Sequence, residues 1–527
     1  MMGGNTTEAT APPPVRAEYS TGAVTSATLL CGIAGIAILL HLPGIARYGF
    51  FRDELYYIAC SEHLARGYVD QPPLIALIAW ISRHLLGNSL AAFRVFPILA
   101  GGVTVFLTGW LARELGGGPL AELLAALAIL FAPLYLAFAS ILTMNAFEPV
   151  FWLGCACIAV RIANGGSAKL WLLFGIVAGV GIQNKHTMVV FGFAIVAGFL
   201  LSGDLRPFRS RWIWIGGAIA LGLALPNLVW EAQHGWPQIE VVRNAQQIKN
   251  ELIGPLQFLG EQVLFYQPIA LPLWLGGLWW YLGRGDAKRF RFLGWAYLVV
   301  LAVFLAGDGK SYYPMGAYPM LMAAGGVAFE RFSAAGWRTK LRIAYPASIV
   351  LAGLVTLPFG VPVLSAETFL QYSDALPYAH AVKTERDTTA PMPQNYADMF
   401  GWDNIAMTVA RVYHALPEAE RANCAILAGN YGEAGAIDYY GPALGLPKAI
   451  GGHNSYFYWG PRHYSGQCVI LFGEGSGEFK NYFEDVQQVA VVSNPLGMPS
   501  EQNVAIYVCR KPHAALAELW PHFKLII

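Results

Sequence analysis

The sequence predicts a polytopic α-helical membrane protein with a small extracytoplasmic α/β domain at its C-terminal end, and three observations lead there. The chain has 527 residues, of which 56% are hydrophobic and only 13% charged, with a mean hydropathy of +0.45; soluble domains carry about 25% charged residues. The missing charge is local, because residues 25–362 are mostly apolar runs of spanning or near-spanning length while 363–527 read as an ordinary globular sequence. Lys and Arg cluster in every second loop between those runs, as cytoplasmic loops do. A net charge of +1 excludes a strongly basic nucleic-acid binder. Seven cysteines without a C-x-x-C exclude a thiol redox motif.

Residues 1–24, rich in Pro, Thr and Ala, read as a disordered cytoplasmic tail. The transmembrane part, 25–362, has apolar runs at 25–43, 94–112, 119–139, 147–163, 170–183, 187–202, 212–230, 266–283, 290–306, 314–331 and 341–362, which is about eleven spans. The first run lacks a signal-peptide cleavage pattern and reads as a retained anchor. Basic residues follow at Arg113, at Arg161 and Lys169, at Arg206, Arg209 and Arg211, from Arg284 to Arg291, and from Arg331 to Arg342. That alternation puts the tail inside and 363–527 outside. The stretch 72–87 is apolar but marginal in length, and counting it as a span inverts the charge rule for every later loop. It is therefore laid in the outer interface as an amphipathic helix beside 53–65. The outer loops are then 44–93, 140–146, 184–186, 231–265 and 307–313. Past 363, β-rich runs at 424–429, 468–473, 489–492 and 504–509 alternate with helical patterns, which predicts a small α/β layer structure.

Chemistry-bearing side chains concentrate in those outer loops. Asp53 and Glu54 open the first one. Two adjacent carboxylates at a membrane boundary are costly to desolvate, so one reads as a general base and the other as a hydrogen-bonded brace for the loop; the alternative is a helix start, with Asp53 as cap and Glu54 in the first turn. Lys185, in Gln183-Asn184-Lys185-His186, stands at a helix junction where a buried ammonium needs an anion, unless it snorkels to the interface. Arg243 and Lys249 lie in 238–252, an amphipathic pattern whose polar face either holds phosphate or is simply solvated. Lys310, Tyr312 and Tyr313 mark a further boundary, where tyrosine is also ordinary belt composition. Glu148, before Pro149, either supplies a site carboxylate or is a first-turn helix acid. Asp70 and His234 are weak candidates for a divalent metal, with no H-x-x-x-H spacing to support them. The Gly- and aromatic-rich segment 430–462, with His453, suits sugar contact or docking of the domain onto the membrane part. Cys424, Cys468 and Cys509 bound predicted strands, and either two of them pair in an oxidising compartment or all are buried strand thiols.

The run FFRDELYYIACSEHLARGYVDQPPL, residues 50–74, resembles the first outer loop of the polyprenyl-phosphate-sugar-dependent membrane glycosyltransferases, the group of the protein O-mannosyltransferases (glycosyltransferase family 39) and the bacterial aminoarabinose transferases that modify lipid A. The likeness continues through Phe93-Arg94, LTMNAFEPVFW at 142–152, GIQNKHTMVVF at 181–191 and GKSYYPMGAYP at 309–319. It implies the C-type glycosyltransferase fold, a polyprenyl-phosphate monosaccharide donor at the outer face of a bacterial inner membrane, a periplasmic C-terminal domain, and an acceptor hydroxyl on lipid A, a glycan or a protein. Asp53, at the family's Asp-Glu, is then the base of an inverting displacement, with Glu54 beside it. The resemblance implies donor-phosphate contact for Lys185, Lys310, Tyr312 and Tyr313, to which the amphipathic pattern at 238–252 adds Arg243, and the expected sugar or acceptor contacts are Asp70, Asn145, Glu148, His186 and His453. Asn145 stands where relatives commonly have an essential Asp. No cofactor is required, although the aminoarabinose transferases are thought to hold a zinc in the region of Asp70. The competing class is a transporter or lipid flippase, in which the same charges line a path. Transporters usually show repeated halves, and no repeat is visible here.

Overall fold

The computed structural model describes residues 18–251, 253–376, 390–473 and 475–527. Every predicted apolar run is helical: Glu18–His41, Leu90–Glu114, Pro119–Leu130 with Pro133–Ala139, Met144–Ala163, Leu170–Asn184, Thr187–Ser202, Arg211–Gln233, Leu271–Gly283, Arg291–Ala306, Tyr318–Phe332 and Leu341–Gly360. In hydrocarbon a helix satisfies its own N–H and C=O groups, which no irregular segment does. Among the described residues six helices are long and apolar enough to cross a membrane, or seven if a bent pair counts as one span. The expected tail lies outside the described residues as far as 17, and the first helix begins at Glu18, inside the stretch read as tail.

The run 119–139 is not one straight helix. Pro119–Leu130 and Pro133–Ala139 are bent by 64° at the break between them. Pro133 has no N–H to continue the ladder and forces Ala132 out of the helical region, to φ −79° and ψ 122°. The two helices expected in the first outer loop are present as Arg52–Glu62 and Leu74–Leu86 and pack on each other. The second buries Ile75, Ala76 and Ala79 and leaves Leu77, Trp80, Leu85 and Leu86 exposed. The 238–252 pattern folds as Pro237–Asn244 running into a π-helical turn, Ala245–Lys249.

Beyond the last apolar helix, β1 (Cys424–Ala428), β2 (Ile450–Gly451), β3 (Cys468–Phe472), β4 (Phe483–Ser493) and β5 (Asn503–Pro512) form one sheet in the order β2-β1-β3-β5-β4. β1 is parallel to β2 and β3, and β5 is antiparallel to β3 and β4. The central strands β1 and β3 are buried at every position, which is why they read as unbroken apolar runs. β4 starts at Phe483, well before the predicted 489–492, because its first half carries Glu484, Asp485, Gln487 and Gln488 on an edge strand. Cys424 and Cys468 are register partners on β1 and β3 and form a disulfide, while Cys509 is a buried free thiol.

The helix Tyr431–Tyr440, which follows β1, lies against Arg52–Glu62 of the first loop. Two glycines set that approach. A Cβ at Gly432 would fall 2.5 Å from the Arg52 side chain, and one at Gly435 would fall 2.9 Å from the Leu55 backbone. Leu55, Tyr56 and Ile58 therefore share a core with Ile426, Ile437 and Phe472. The first loop and the sheet domain are one packed body at this point.

Candidate active site

A cavity of about 670 Å³ opens where the predicted outer loops meet. Its wall takes residues from 51–72, 133–145, 185–190, 238–250 and 303–313, with Tyr431 from the sheet domain. One side is apolar, built from Leu134, Phe138, Val190, Phe265 and Phe304. The bend at Pro133 is what turns Leu134 and Phe138 into that wall.

The Asp-Glu pair divides. The helix Arg52–Glu62 has Phe51 as its N-cap, so Asp53 sits in the first turn and is not the cap. Asp53 lines the cavity, and its Oδ1 accepts a 2.8 Å hydrogen bond from the Tyr431 hydroxyl. Glu54 points the other way, is fully buried and does not line the cavity. Its carboxylate accepts from Arg94 Nε at 3.0 Å and Arg94 Nη2 at 2.8 Å, and from the backbone N–H groups of Phe51 and Leu142, both at 2.8 Å. Arg94 also donates to the carbonyls of Ile45 and Gly49. Glu54 thus braces the loop, and of the pair Asp53 alone faces the cavity.

Asp70 lines the cavity near Asp53, and its Oδ1 accepts from the Tyr56 hydroxyl at 2.8 Å. Burial pushes the Asp70 carboxyl up from 3.8 to about 6, against the pull of the Tyr56 hydrogen bond, and the charge of Asp53 adds to the rise.

Elsewhere on the wall Lys185 Nζ donates to Asn145 Oδ1 at 2.6 Å and Glu148 Oε2 at 2.9 Å, and lies 4.9 Å from the Tyr313 ring centre and 5.8 Å from that of Tyr312. Glu148 also accepts from the Thr187 hydroxyl. Glu148, expected to contact sugar or acceptor, is instead buried, does not line the cavity and holds Lys185 from behind. Lys185, Asn145, Lys310, Tyr312 and Tyr313 all line it, and an ammonium paired inside the protein is not a snorkelling one. His186 lines it too, with Nε2 2.9 Å from Asn227 Oδ1.

Three expectations change. Arg243 is exposed and does not line the cavity, whereas Lys249, at the end of the π-helical turn, does. His453 is buried behind Tyr431, its ring 4.6 Å from the Tyr431 ring and its Nδ1 3.4 Å from the Tyr431 backbone N–H, so it supports the wall and does not itself line the cavity. Burial holds its imidazole well below the usual histidine range and so neutral. His234 stacks on Trp230 with ring centres 4.1 Å apart, its Nδ1 2.8 Å from the Trp230 carbonyl, and it does not line the cavity as Asp70 does. Among the described residues no three His, Cys, Asp or Glu side chains gather to hold a metal ion.

Arg52 and Tyr431 were not singled out from sequence. Arg52 Nε lies 3.7 Å from Asp398 Oδ1 and its guanidinium 5.8 Å from the Tyr431 ring, and both residues line the cavity. Tyr431 falls in the aromatic segment 430–462, but nothing in its spacing separates it from the other tyrosines there.

Residues 70–230 match the dolichyl-phosphate-mannose-protein mannosyltransferase family. Over 422 residues the chain is 26% identical to the lipid A galacturonosyltransferase RgtD of Rhizobium johnstonii, covering 76% of this chain and 84% of that protein. Its fold is similar to that of ArnT from Cupriavidus metallidurans bound to undecaprenyl phosphate, with a TM-score of 0.62 at 14% identity over 93% of this chain and 98% of the other. The apo state of the same protein aligns with a TM-score of 0.59 at 14% identity, over 92% and 98% of the two chains.

Proposed function

Because the chain is a membrane glycosyltransferase of the C-type fold, we propose that it moves a monosaccharide from a polyprenyl-phosphate donor to a lipid hydroxyl at the outer face of a bacterial inner membrane, with inversion at C1. The observation that carries the reading is that one cavity holds both a carboxylate, Asp53, and a cation corner in which Lys185 lies against the rings of Tyr312 and Tyr313, with Lys310 also on the wall. The donor phosphate sits in that corner, with its prenyl chain along the apolar side formed by Leu134, Phe138, Phe265 and Phe304. Asp53 takes the proton of the acceptor hydroxyl as the acceptor oxygen bonds to C1 and the bond from C1 to the phosphate oxygen breaks. The electron pair leaves on polyprenyl phosphate. That leaving group is already a good anion, so no acid has to protonate it. Cations at the phosphate favour the transition state over the ground state, because charge grows there as the bond breaks. A single attack opposite the leaving group inverts C1.

The names of the relatives support the finer points: undecaprenyl phosphate is bound by one, and galacturonosyl transfer to lipid A is the activity of another. The test is purified protein incubated with lipid A and a panel of undecaprenyl-phosphate sugars, uronic acids included, with products read by mass spectrometry. Asp53→Asn is expected to lower turnover by about 10² to 10⁴ while undecaprenyl phosphate still binds. An Asn variant that keeps more than roughly a tenth of wild-type turnover sinks the role of Asp53 as base.

A further inference from the structure

The base in this cavity is held by a residue from the other part of the protein. We propose that Tyr431, carried in by the sheet domain, is a positioning residue for Asp53, and that docking of that domain is what makes the carboxylate competent. The inference rests on the reading of Asp53 as the acceptor base.

Three features build it. The Tyr431 hydroxyl donates to Asp53 Oδ1 at 2.8 Å across a sequence separation of 378 residues. With Oδ1 engaged, Oδ2 is the oxygen that receives the acceptor's proton, and the Asp53 side chain is fixed about its torsions, as a base that must lie within about 3 Å of a moving proton requires. The ring that carries this hydroxyl is itself clamped. Tyr56 lies 4.8 Å from it and His453 4.6 Å, and the cations of Arg52 and Lys249 lie 5.8 and 5.9 Å from its centre. Cations over an aromatic face add to the hold.

The backbone beneath it is fixed as well. Asn430 caps the helix Tyr431–Tyr440 by accepting from the Glu433 N–H at 3.0 Å, and the Glu433 carboxylate returns a contact to the Asn430 N–H at 3.0 Å. Tyr431 is therefore the first residue of a doubly capped helix, which leaves its Cα little freedom. Gly432 and Gly435 then let that helix lie on Arg52–Glu62 closely enough for the hydroxyl to reach Asp53. A Cβ at either position would push the two helices apart.

The experiment is a double-mutant cycle between Asp53→Asn and Tyr431→Phe, with turnover, donor KM and undecaprenyl phosphate affinity measured on each protein. Tyr431→Phe keeps the ring and removes the hydroxyl. It is expected to lower kcat about ten- to hundredfold, the effect of one hydrogen bond to a charged group, with donor KM and phosphate affinity unchanged. In the Asp53→Asn background the same change is expected to do nothing further, because Tyr431 acts through Asp53. Should the Phe variant not fold, a fluorinated tyrosine installed at Tyr431 keeps the ring's shape and strengthens the donor; kcat is then expected to change with donor KM unchanged, and an unaltered kcat overturns the proposal. Unchanged kcat in Tyr431→Phe overturns the proposal, and so does an effect that adds fully to that of Asp53→Asn. A rise in kcat overturns it too, since the hydroxyl would then be occupying the acceptor's place. If Asp53→Asn itself stays active, the role of Asp53 as base fails first, and the cycle separates the two failures.

Discussion

Glu54 and Arg94 are both fully buried, and the carboxylate receives four hydrogen bonds there. Removing one partner of such a pair leaves a buried charge without compensation, at a cost of about 3–5 kcal/mol. Glu54→Gln is thus expected to lower the melting temperature and the yield of folded protein, while turnover per folded molecule stays near wild type. Asp53→Asn is expected to show the reverse, and thermal unfolding measured beside turnover separates them. A Glu54→Gln protein that is fully stable yet inactive would return Glu54 to the chemistry. Asp70 gives a pH test. Its carboxyl is raised in the folded state, from 3.8 to about 6, so folding favours the protonated form. The associated stability is present at low pH and is lost as pH rises through about 6. Asp70→Asn, which carries no charge, should be more stable than wild type at pH 7, and the gap should close as pH falls towards 4; a gap constant across that range would contradict the burial of Asp70. The sequence marks Asp53 and Glu54 as a pair but holds nothing to divide their labour. That division depends on Arg94 and Leu142, which are far along the chain and reach Glu54 only in three dimensions.

Helices were legible element by element because hydropathy over some twenty residues is a local property. Breaks and faces were less so. Pro133 bends the run 119–139, and Pro97, Pro149 and Pro226 sit inside helices that continue through them, so proline alone does not say which helix will break. β4 was half missed, since a solvated edge strand lacks the apolar run that betrays β1 and β3. Lys185 stands at the junction of Leu170–Asn184 and Thr187–Ser202, with Glu148 reaching it from Met144–Ala163. Lys185→Ala is expected to weaken undecaprenyl phosphate binding by about ten- to hundredfold, as for one charge-assisted contact, and to leave binding of the uncharged polyprenol alone. Equal loss for both ligands would mean that the junction, and not the phosphate, depends on Lys185.

At the scale of the molecule, the contrast between the apolar part and the soluble domain was plain in composition, whereas their docking was not. The Gly432 and Gly435 contacts, the shared core and the Tyr431 hydrogen bond all join residues hundreds of positions apart. The basic loops predict that cysteine labels at 364–370 react from outside and labels at 284–291 from the cytoplasm. Labelling of 364–370 only from the cytoplasmic side would invert the topology and remove the cavity from the outer face. The disulfide between Cys424 and Cys468 closes a sequence separation of 44 and suits an oxidising compartment. Such a cross-link contributes about 2–4 kcal/mol. Its reduction is expected to lower the melting temperature and, through the core shared with Arg52–Glu62, turnover as well; full turnover after complete reduction would show that the sheet domain and the cavity are independent.

The span between Asp53 and Tyr431 also sets a schedule. Ribosomes add about 5–20 residues each second, so roughly 20–75 s pass after Asp53 is made before Tyr431 exists to meet it. In the last part of that interval, once Tyr313 has been made, the nascent chain has the proposed base and its cation corner but not the hydroxyl that aligns them. If Tyr431 positions Asp53 as proposed, incompletely made chains sharing the membrane with donor lipid consume it about ten- to hundredfold more slowly than the finished protein does.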